Sequence, residues 1–385
     1  MPASLLARLD DPAPHARLLS NGRYTVLVSG AGSGASTCGG IALTSWGADR
    51  TEDADGLFVY LRDVDRRTFW SVGHQPVRKP TEGYGVRFEP GRVCFERRDD
   101  GIETRLEVCV APEDDVEIRR LRLCNLSDQP RRLEVTSYAE VVLLDQAAHA
   151  AHPAFAKLFV QTEYVADQGV LLARRRPRSH TERHPWIVHG LAGAGALQHE
   201  TDRARFLGRG RSLAEPLALT TGAPLSGTVG SVLDPIVSLR RATSLAPGEI
   251  AEFGVLLGVA SSREAALELA VRYGACGSAA GCATPGALDA VFEAAAEHER
   301  ASLRRLAISE AHAEYLHELA SAMLYGHPAL RAPQGIIRRA GGSAGVLREY
   351  GMSGEGLVVG GRKLFVVAHV ERREQRALVT ELLGT

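Results

Sequence analysis

The sequence predicts a mainly β protein: a large antiparallel β-sandwich followed by α-helices. From Asn21 to about Val259 the chain is a series of short, apolar, β-rich runs separated by turn residues. Such runs at short spacing favour a sandwich over βαβ units, in which every strand alternates with a helix. After Ser262 the spacing of apolar residues changes to the period of helices, so helices are expected to follow the sandwich.

The predicted strands have alternating or continuous apolar residues, and turn residues such as Asp99, Asp100 and Gly101 lie between several of them. Residues 1–20, which precede them, are expected to form a lead-in with one short amphipathic turn. The predicted strands span residues 24–29, 41–46, 57–62, 84–89, 93–97, 102–110, 116–125, 131–144, 158–164, 170–174, 186–190, 237–244 and 252–259.

Three helices are predicted after the strands, at 262–273, 287–306 and 309–324. Ser261 or Ser262 is available as the N-cap of the first and Ser309 as the N-cap of the third, because a serine hydroxyl can accept a free N–H of the first turn. A β-like run at 364–370 and a final amphipathic helix at 372–383 complete the prediction. The expected domains are a lead-in (1–20), a β-sandwich (21–275), a helical linker (276–332) and a C-terminal region (333–385).

Composition excludes several classes of function. The formal net charge is −1, so the chain as a whole has no electrostatic attraction to nucleic acid or anionic membranes. No apolar run approaches the roughly 20 residues that span a bilayer, and the first 22 residues have acids and prolines where a signal peptide is apolar. The six cysteines form no C-x-x-C pair, which predicts free thiols and a cytoplasmic protein.

The glycine-rich segment at residues 30–35, GAGSGA, fits the first half of a dinucleotide-binding motif after a strand. That motif needs a helix N-terminus next, to hold the pyrophosphate. Here the residues that follow lead into another β-rich run, without a helical pattern. The segment is therefore predicted to be a turn between strands, and no nucleotide cofactor is expected.

The segment from 46 to 76 combines aromatic, carboxylate and arginine side chains around a strand, a polar turn and a returning strand. This composition is typical of a sugar site, where rings stack on C–H faces and polar groups bind hydroxyls. The alternative is that Asp63 and Asp65 shape the turn and the tryptophan belongs to the core. The candidate substrate-binding residues are Trp46, Arg62, Asp63, Trp70 and His74.

Signals for metal binding, nucleophilic catalysis and nucleic-acid binding are weak. His149 and His152 are three apart but no clear third ligand completes a site, so no metal is expected. The G-x-S-x-G motif of serine hydrolases does not occur. The basic run at 174–178 is interpreted as a solvated loop rather than a nucleic-acid contact, because aromatic residues that could stack on bases are sparse around it. No catalytic residue is assigned.

Several motifs resemble glycoside hydrolase family 94, formerly glycosyltransferase family 36, and in particular the phosphorylase-like module of cyclic β-1,2-glucan synthases. The resemblance covers roughly residues 15–355. The motifs are NGRY at 21–24 with AGSG at 31–34, residues 58–76, TSYAEV at 136–141, AHPAFAKLF at 151–159 and DPIVSLRR at 234–241. It implies a galactose-mutarotase-like supersandwich and a helical linker.

The family's reaction is inverting phosphorolysis of a β-glucoside, with inorganic phosphate as co-substrate and an Asp general acid in an (α/α)6 barrel after the linker. Twelve helices need about 200 residues, whereas roughly 50 follow residue 333. The segment 346–356, VLREYGMSGEG, also lacks the Trp and Asp that relatives have at this point. The catalytic barrel is therefore expected to be absent, as in a truncated or split gene product.

Two main hypotheses about function follow from this resemblance. The first is a carbohydrate-binding or structural module of a β-glucan phosphorylase or glucan synthase, inactive alone, with a β-glucan or glucooligosaccharide as partner. The second is a phosphorylase or glycosyltransferase that becomes active with a separately encoded barrel. A third hypothesis is a purely structural or interaction role. In it, the linker helices mediate self-association or docking of a barrel through an apolar stripe formed by Leu316, Leu319, Ala320 and Met323.

Overall fold

The computed structural model describes residues 14–49, 51–177, 179, 184–274, 285–326, 334–335, 338, 357–359 and 362–364. Two compact units divide the chain between Ile308 and Ser309. The first unit contains two large antiparallel sheets, of nine and eight strands, so the predicted mainly β, antiparallel sandwich is confirmed. The described residues contain no (α/α)6 barrel.

The nine-stranded sheet has the order β1-β2-β3-β4-β11-β16-β15, and β5 pairs with both β11 and β6. Its longest strand, β11, pairs with β4, β5 and β16 and therefore organises the sheet. The strands are β1 (Ala16–Ser20), β2 (Tyr24–Ser29), β3 (Gly34–Cys38), β4 (Ile41–Thr44), β5 (Phe58–Asp63), β6 (Thr68–Ser71), β11 (Arg131–Asp145), β15 (Leu197–Asp202) and β16 (Pro235–Leu245).

The eight-stranded sheet has the order β12-β13-β14-β17-β10-β9-β8-β7. All its pairs are antiparallel, and the long strands β9, β10 and β17 form its centre. The strands are β7 (Gly83–Glu89), β8 (Arg92–Asp99), β9 (Ile102–Val110), β10 (Val116–Asn125), β12 (Val160–Val165), β13 (Val170–Arg175), β14 (Trp186–Ala192) and β17 (Ile250–Ala260).

The main core lies between the two sheets. Alternate residues of a strand point to opposite faces, so one apolar set from each sheet faces inward. Tyr24 and Trp70 from the first sheet and Phe95 and Leu121 from the second belong to this single buried cluster. Burial of these side chains is the main stabilising contribution, about 2 kcal/mol for each large apolar residue.

Helices cover the outer faces of both sheets. On the eight-stranded sheet, Phe292 packs in a second apolar cluster with Ala266 and Ile118. On the nine-stranded sheet, Phe206 packs against Tyr60 in a third cluster. The helices are α1 (Gln146–Ala151), α2 (Pro153–Lys157), α3 (Arg203–Leu207), α4 (Leu217–Thr220), α5 (Arg263–Arg272) and α6 (Pro285–Arg305) in the first unit, and α7 (Glu310–Leu324) in the second.

The predicted helix starts are confirmed at two serines. The Ser262 hydroxyl accepts the Ala265 N–H of α5, and the Ser309 hydroxyl accepts the His312 N–H of α7. The second unit also contains β18 (Leu357–Val359) and β19 (Arg362–Leu364), which pair with each other. The predicted strand at 364–370 lies almost wholly outside the described residues, and so does the predicted helix at 372–383.

Some local predictions are wrong. Residues 16–20 of the predicted lead-in form β1, which pairs with β2 along its whole length. The expected strand at 158–164 begins only at Val160, because α2 occupies residues 153–157. The strands β3 and β15 and the short helices α1–α4 were not predicted. The sequences of β3, β15, α1 and α2 are rich in small or polar residues, so they have no apolar periodicity. The helices α3 and α4 are too short to show a helical period, although their Phe206 and Leu219 pack in the third cluster.

No described helix is long and apolar enough to cross a membrane. Four cysteines in the described part of the chain are free thiols. Cys94 and Cys109 are buried, Cys38 and Cys124 are half-buried, and the remaining two, at 276 and 282, lie outside the described residues.

Candidate functional site

The glycine-rich segment forms a turn between β2 and β3, so the predicted turn between strands is confirmed. Gly32 has a φ of +92°, a conformation that favours glycine. A Cβ at Gly32 would also lie 3.0 Å from the Cα of Gly73. The Gln75 N–H donates to the Ala31 carbonyl at 2.8 Å. The turn is thus packed against the segment that carries His74.

The predicted sugar-binding residues of the β5–β6 hairpin do not form one surface. Arg62 and Asp63 are neighbours in β5, so their side chains point to opposite faces of the sheet. Arg62 Nη1 donates to Glu134 Oε2 at 3.1 Å on the outer face. Asp63 is completely buried and pairs with Arg131, whose Nε donates to Asp63 Oδ2 at 2.7 Å.

Asp63 and Trp70 occupy the positions that the alternative interpretation gave them. Asp63 Oδ1 accepts the Arg66 N–H at 2.8 Å and so shapes the turn, and Trp70 lies in the main core with no exposed surface. Lys79 Nζ sits 4.8 Å from the centre of the Trp70 ring, a cation–π contact. Contact of these two side chains with a sugar would require the hairpin to open.

His74 is half-buried beside Tyr84, with ring centres 6.4 Å apart. Burial lowers the pKa of His74, and the nearby Arg97 and Arg78 lower it further, so the imidazole is neutral at pH 7. Its backbone N–H donates to the Tyr84 hydroxyl at 3.2 Å. His74 therefore lies beside the glycine-rich turn, and nothing in these contacts joins it to Trp46.

Trp46 is the predicted tryptophan that keeps exposed surface. It lies in the connection between β4 and β5, and its carbonyl accepts a hydrogen bond from Gln146 Nε2 in α1 at 2.5 Å. Asp55 Oδ2, later in the same connection, accepts the Gly47 N–H at 2.5 Å. The Gln146 contact holds the Trp46 loop against the start of α1 at the end of β11, and the Asp55 contact joins two parts of the same loop.

A network of two acidic and two basic side chains lies at this end of β11. Lys157 Nζ donates to Glu140 Oε2 at 3.0 Å and to Asp234 Oδ1 at 2.6 Å. Arg203 Nε donates to Glu140 Oε1 at 2.6 Å, and its Nη1 donates to Asp234 Oδ2 at 3.4 Å. The Tyr138 hydroxyl donates to Glu140 Oε1 at 3.3 Å. We call Glu140, Lys157, Arg203 and Asp234 the β11 network.

Local structure places each member of the β11 network. Asp145 caps α1 by accepting the N–H groups of Ala147 and Ala148, and Pro153 occupies the first turn of α2, where its missing N–H costs nothing. Together these short helices bring Lys157 back over β11. Asp202 caps α3 in the same way and so sets the position of Arg203.

Electrostatic interactions in the β11 network keep Glu140 and Lys157 charged. Burial by itself raises the pKa of Glu140, but Lys157 and Arg203 outweigh it and the net shift is downward. Burial by itself lowers the pKa of Lys157, but Glu140 and Asp234 reverse the direction. A general acid for glycoside cleavage needs a raised carboxyl pKa. Glu140 therefore suits binding or positioning rather than proton donation.

Two further groups border the β11 network. Burial raises the pKa of Asp55, the Gly47 N–H opposes this, and the charge of Glu140 adds to the increase. Burial lowers the pKa of His149, and Lys157 lowers it further. No group of three or more His, Cys, Asp or Glu side chains that could hold a metal ion occurs in the described part of the chain.

The β11 network was not predicted from the sequence, although three of the segments that form it carry the family resemblance. Glu140 lies in TSYAEV, Lys157 in AHPAFAKLF and Asp234 in DPIVSLRR. These segments are well separated along the chain, and the structure brings their charged residues within hydrogen-bonding distance. The resemblance of each segment to the family did not indicate that the three segments meet in space.

Comparison with known proteins agrees with this architecture. Residues 3–275 match the family described as Glycosyl hydrolase 94, supersandwich domain. The chain belongs to glycosyl hydrolase family 94. The matched region contains both large sheets and the β11 network.

Three relatives of this family 94 supersandwich illustrate its range. The chain is 40% identical over 248 residues to the cyclic beta-(1,2)-glucan synthase NdvB of Rhizobium meliloti (strain 1021). This alignment covers 63% of the chain and 9% of the synthase. The chain is 28% identical over 214 residues to the solabiose phosphorylase of Paenibacillus borealis, covering 55% and 27%. It is 27% identical over 260 residues to the N,N'-diacetylchitobiose phosphorylase of Vibrio furnissii, covering 66% and 32%. The chain therefore spans less than a third of each.

Proposed function

We propose that this family 94 chain is a carbohydrate-binding and structural module of a β-glucan phosphorylase or glucan synthase, and that it is inactive alone. The observation that carries the proposal is the match of residues 3–275 to the supersandwich domain, together with 40% identity to a cyclic β-1,2-glucan synthase. The substrate class, β-glucan, is taken from that relative. The free cysteines support a cytoplasmic location.

The loop and network at the end of β11 are the proposed sugar-binding surface. Trp46 offers a partly exposed ring on which a sugar can stack. The side chains of Arg203 and Asp234 are about one-third exposed, at 36% and 30%, and can bind hydroxyl groups. The charged state of Glu140 and Lys157 makes this surface suitable for binding without proton transfer.

Titration calorimetry with β-1,2-glucooligosaccharides and cellobiose tests the binding. We expect heat of binding for the glucooligosaccharides, weakened about fivefold by Arg203→Ala because one hydrogen bond is worth about 1 kcal/mol. Arg205→Ala is the matched control, since Arg205 lies on the same helix and outside the β11 network. No heat with millimolar ligand would remove carbohydrate binding from the proposal.

An enzymatic role is the second candidate, because Asp55 and Glu140 are neighbouring carboxyls whose pKa values shift in opposite directions. Incubation of the purified chain with disaccharide and inorganic phosphate, followed by assay for glucose 1-phosphate, separates the two candidates. The module proposal expects no product. Product from the isolated chain would overturn it, and product only after addition of a separately expressed barrel domain would favour the second candidate.

A further inference from the structure

A groove of about 480 Å³ lies on the outer face of the eight-stranded sheet, across β7–β10. It lies on a different sheet from the β11 network. Gly83 and Gly85 contribute no side chains on β7, opposite Arg98 and Glu96 of β8. A Cβ built at Gly83 meets no atom within 4 Å, so this side of the groove is open.

The helix α6 covers only the other end of this outer face. Its Glu293 pairs with Arg92 at 3.0 Å, and its Asp289 pairs with Arg120. Arg122, two residues further along β10, lines the groove where α6 does not reach. Acidic residues of α6 therefore neutralise the charged side chains at one end of this outer face. At the other end, the charged side chains line the groove and are not covered by α6.

Two charged side chains of the groove have unused hydrogen-bonding capacity. Glu96 is occupied by Arg87 at 2.6 Å and Arg98 by Glu82 at 3.1 Å. By contrast, the side chains of Arg122 and Glu103 form no ion pair or hydrogen bond with any residue that the structure describes. Arg122 lies directly opposite Arg105 of β9 on one side and Glu252 of β17 on the other. Arg105 is itself paired with Glu107 at 3.1 Å and with Glu96 at 3.7 Å.

The charges favour a neutral, hydroxyl-rich ligand. The Arg122 guanidinium has donors only, and the Glu103 carboxylate has acceptors only. A sugar hydroxyl can accept from the first and donate to the second, whereas a charged ligand would match one and be repelled by the other. The groove volume falls within the range of sites for small organic ligands, about 300–1,000 Å³.

We propose that this groove is a second carbohydrate-binding site, which holds a short stretch of neutral glucan between Glu103 and Arg122. The site adds to the glucan-associated function proposed above and rests on it. It would let the module hold a glucan chain at a distance from the β11 network, since the two surfaces lie on different sheets.

Calorimetry and thiol labelling together test the groove. We expect Glu103→Ala and Arg122→Ala each to weaken binding of β-1,2-glucooligosaccharides at one class of sites about fivefold. Gly83→Leu, which fills open space, should abolish binding there. Arg209→Ala, an exposed arginine on the loop after α3, is the control that should leave binding unchanged.

Cys124 lines the groove and is a native reporter of its occupancy. Saturating glucooligosaccharide should slow alkylation of Cys124 by iodoacetamide at least threefold, measured peptide by peptide, and leave Cys38 unchanged. Circular dichroism of each variant checks that it is folded. Because alkylation is measured at Cys124 alone, the experiment distinguishes binding in the groove from binding elsewhere on the protein.

The outcomes distinguish this proposal from the one on which it rests. Binding by calorimetry with no change at Cys124 and no effect of Gly83→Leu would overturn the groove and leave the glucan-associated module standing. Stronger protection of Cys124 by glucose 1-phosphate or glucuronate than by neutral oligosaccharide would overturn the neutral ligand class. Absence of any binding would overturn both proposals.

Discussion

Lys157 Nζ lies 2.6 Å from Asp234 Oδ1, although 77 positions separate the two residues along the chain. The same ammonium group is 3.0 Å from Glu140 in the strand beneath them. One side chain thus joins the end of α2, the residue before β16 and the central strand β11. Because these segments carry motifs of the family, the contact links the features that identify the chain to the surface proposed to bind sugar.

Lys157→Met is expected to destabilise the chain by about 2–3 kcal/mol. The substitution keeps the apolar stem of the side chain but leaves Glu140 and Asp234 with Arg203 as their remaining cation. Removing one partner of a mostly buried ion pair leaves the other charge buried without compensation. The resulting loss of stability is larger than the net stabilisation that the intact pair provides. Urea denaturation of the purified variant measures the change in the free energy of unfolding.

Arg132→Ala is the control for this prediction. Arg132 pairs with Asp65 on the surface, with side-chain exposures of 64% and 39%, and such a pair is worth at most about 1 kcal/mol. Adding Glu140→Gln to Lys157→Met should recover part of the loss, because the uncompensated carboxylate is then gone. Equal costs for Lys157→Met and Arg132→Ala would show that the β11 network contributes no more than a surface pair.

Asp63→Asn is expected to reduce the free energy of unfolding by about 3–5 kcal/mol without changing sugar affinity. Asp63 is fully buried and Arg131 is nearly so, and the substitution leaves the Arg131 guanidinium buried without its counter-charge. Denaturation gives the stability, and calorimetry of the folded fraction gives the affinity. Loss of affinity with stability retained would instead support the sequence-based assignment of Asp63 to a sugar site.

Much of the fold follows from apolar patterning. The limits of β9 and β10 agree with prediction because alternating apolar residues continue to each strand end. The strand β3, with the sequence GASTC, has no such pattern. It is a strand because β2 and β4 supply its hydrogen bonds on both sides, which is a property of the sheet and not of the segment.

The β11 network could not be located from the sequence for a related reason. Apolar periodicity shows which residues face a core, but it does not show which strands become neighbours. The placement of Lys157 over Glu140 depends on two short helices, α1 and α2, that no periodicity predicts. Conversely, Arg62 and Asp63 were grouped because they are adjacent in sequence, and adjacency in a strand separates side chains onto opposite faces.

Stability is expected to fall as the pH decreases from about 7 to 4, in part because of His189. Burial lowers the pKa of His189 to about 4, whereas an unfolded histidine titrates near 6.5. The unfolded state therefore binds a proton first, so the contribution is full above pH 6.5 and is lost as the pH approaches 4. By pH 5 the loss from this one group is about 2 kcal/mol.

Comparison with His189→Gln isolates this contribution from the other histidines. His189 Nε2 lies 2.7 Å from the Ser137 hydroxyl between the two sheets, and glutamine can keep a polar contact there without titrating. Urea denaturation at pH 7.5 and pH 5 should show a smaller decrease for the variant than for the wild-type chain. The same decrease in both proteins would mean that His189 does not carry this pH dependence.

Gly91→Ala is expected to displace α6 from the sheet and to cost about 2–4 kcal/mol. Gly91 has a φ of +69°, and a Cβ there would lie 2.5 Å from the carbonyl group of Ala295 in α6. Gly248→Ala is the matched control, because Gly248 has a φ of +76° but open space around its Cα. Alanine at positive φ costs about 1–2 kcal/mol at either site, so the excess at Gly91 measures the packing of α6. Equal unfolding free energies for the two variants would show that α6 can move away from position 91 without loss of stability.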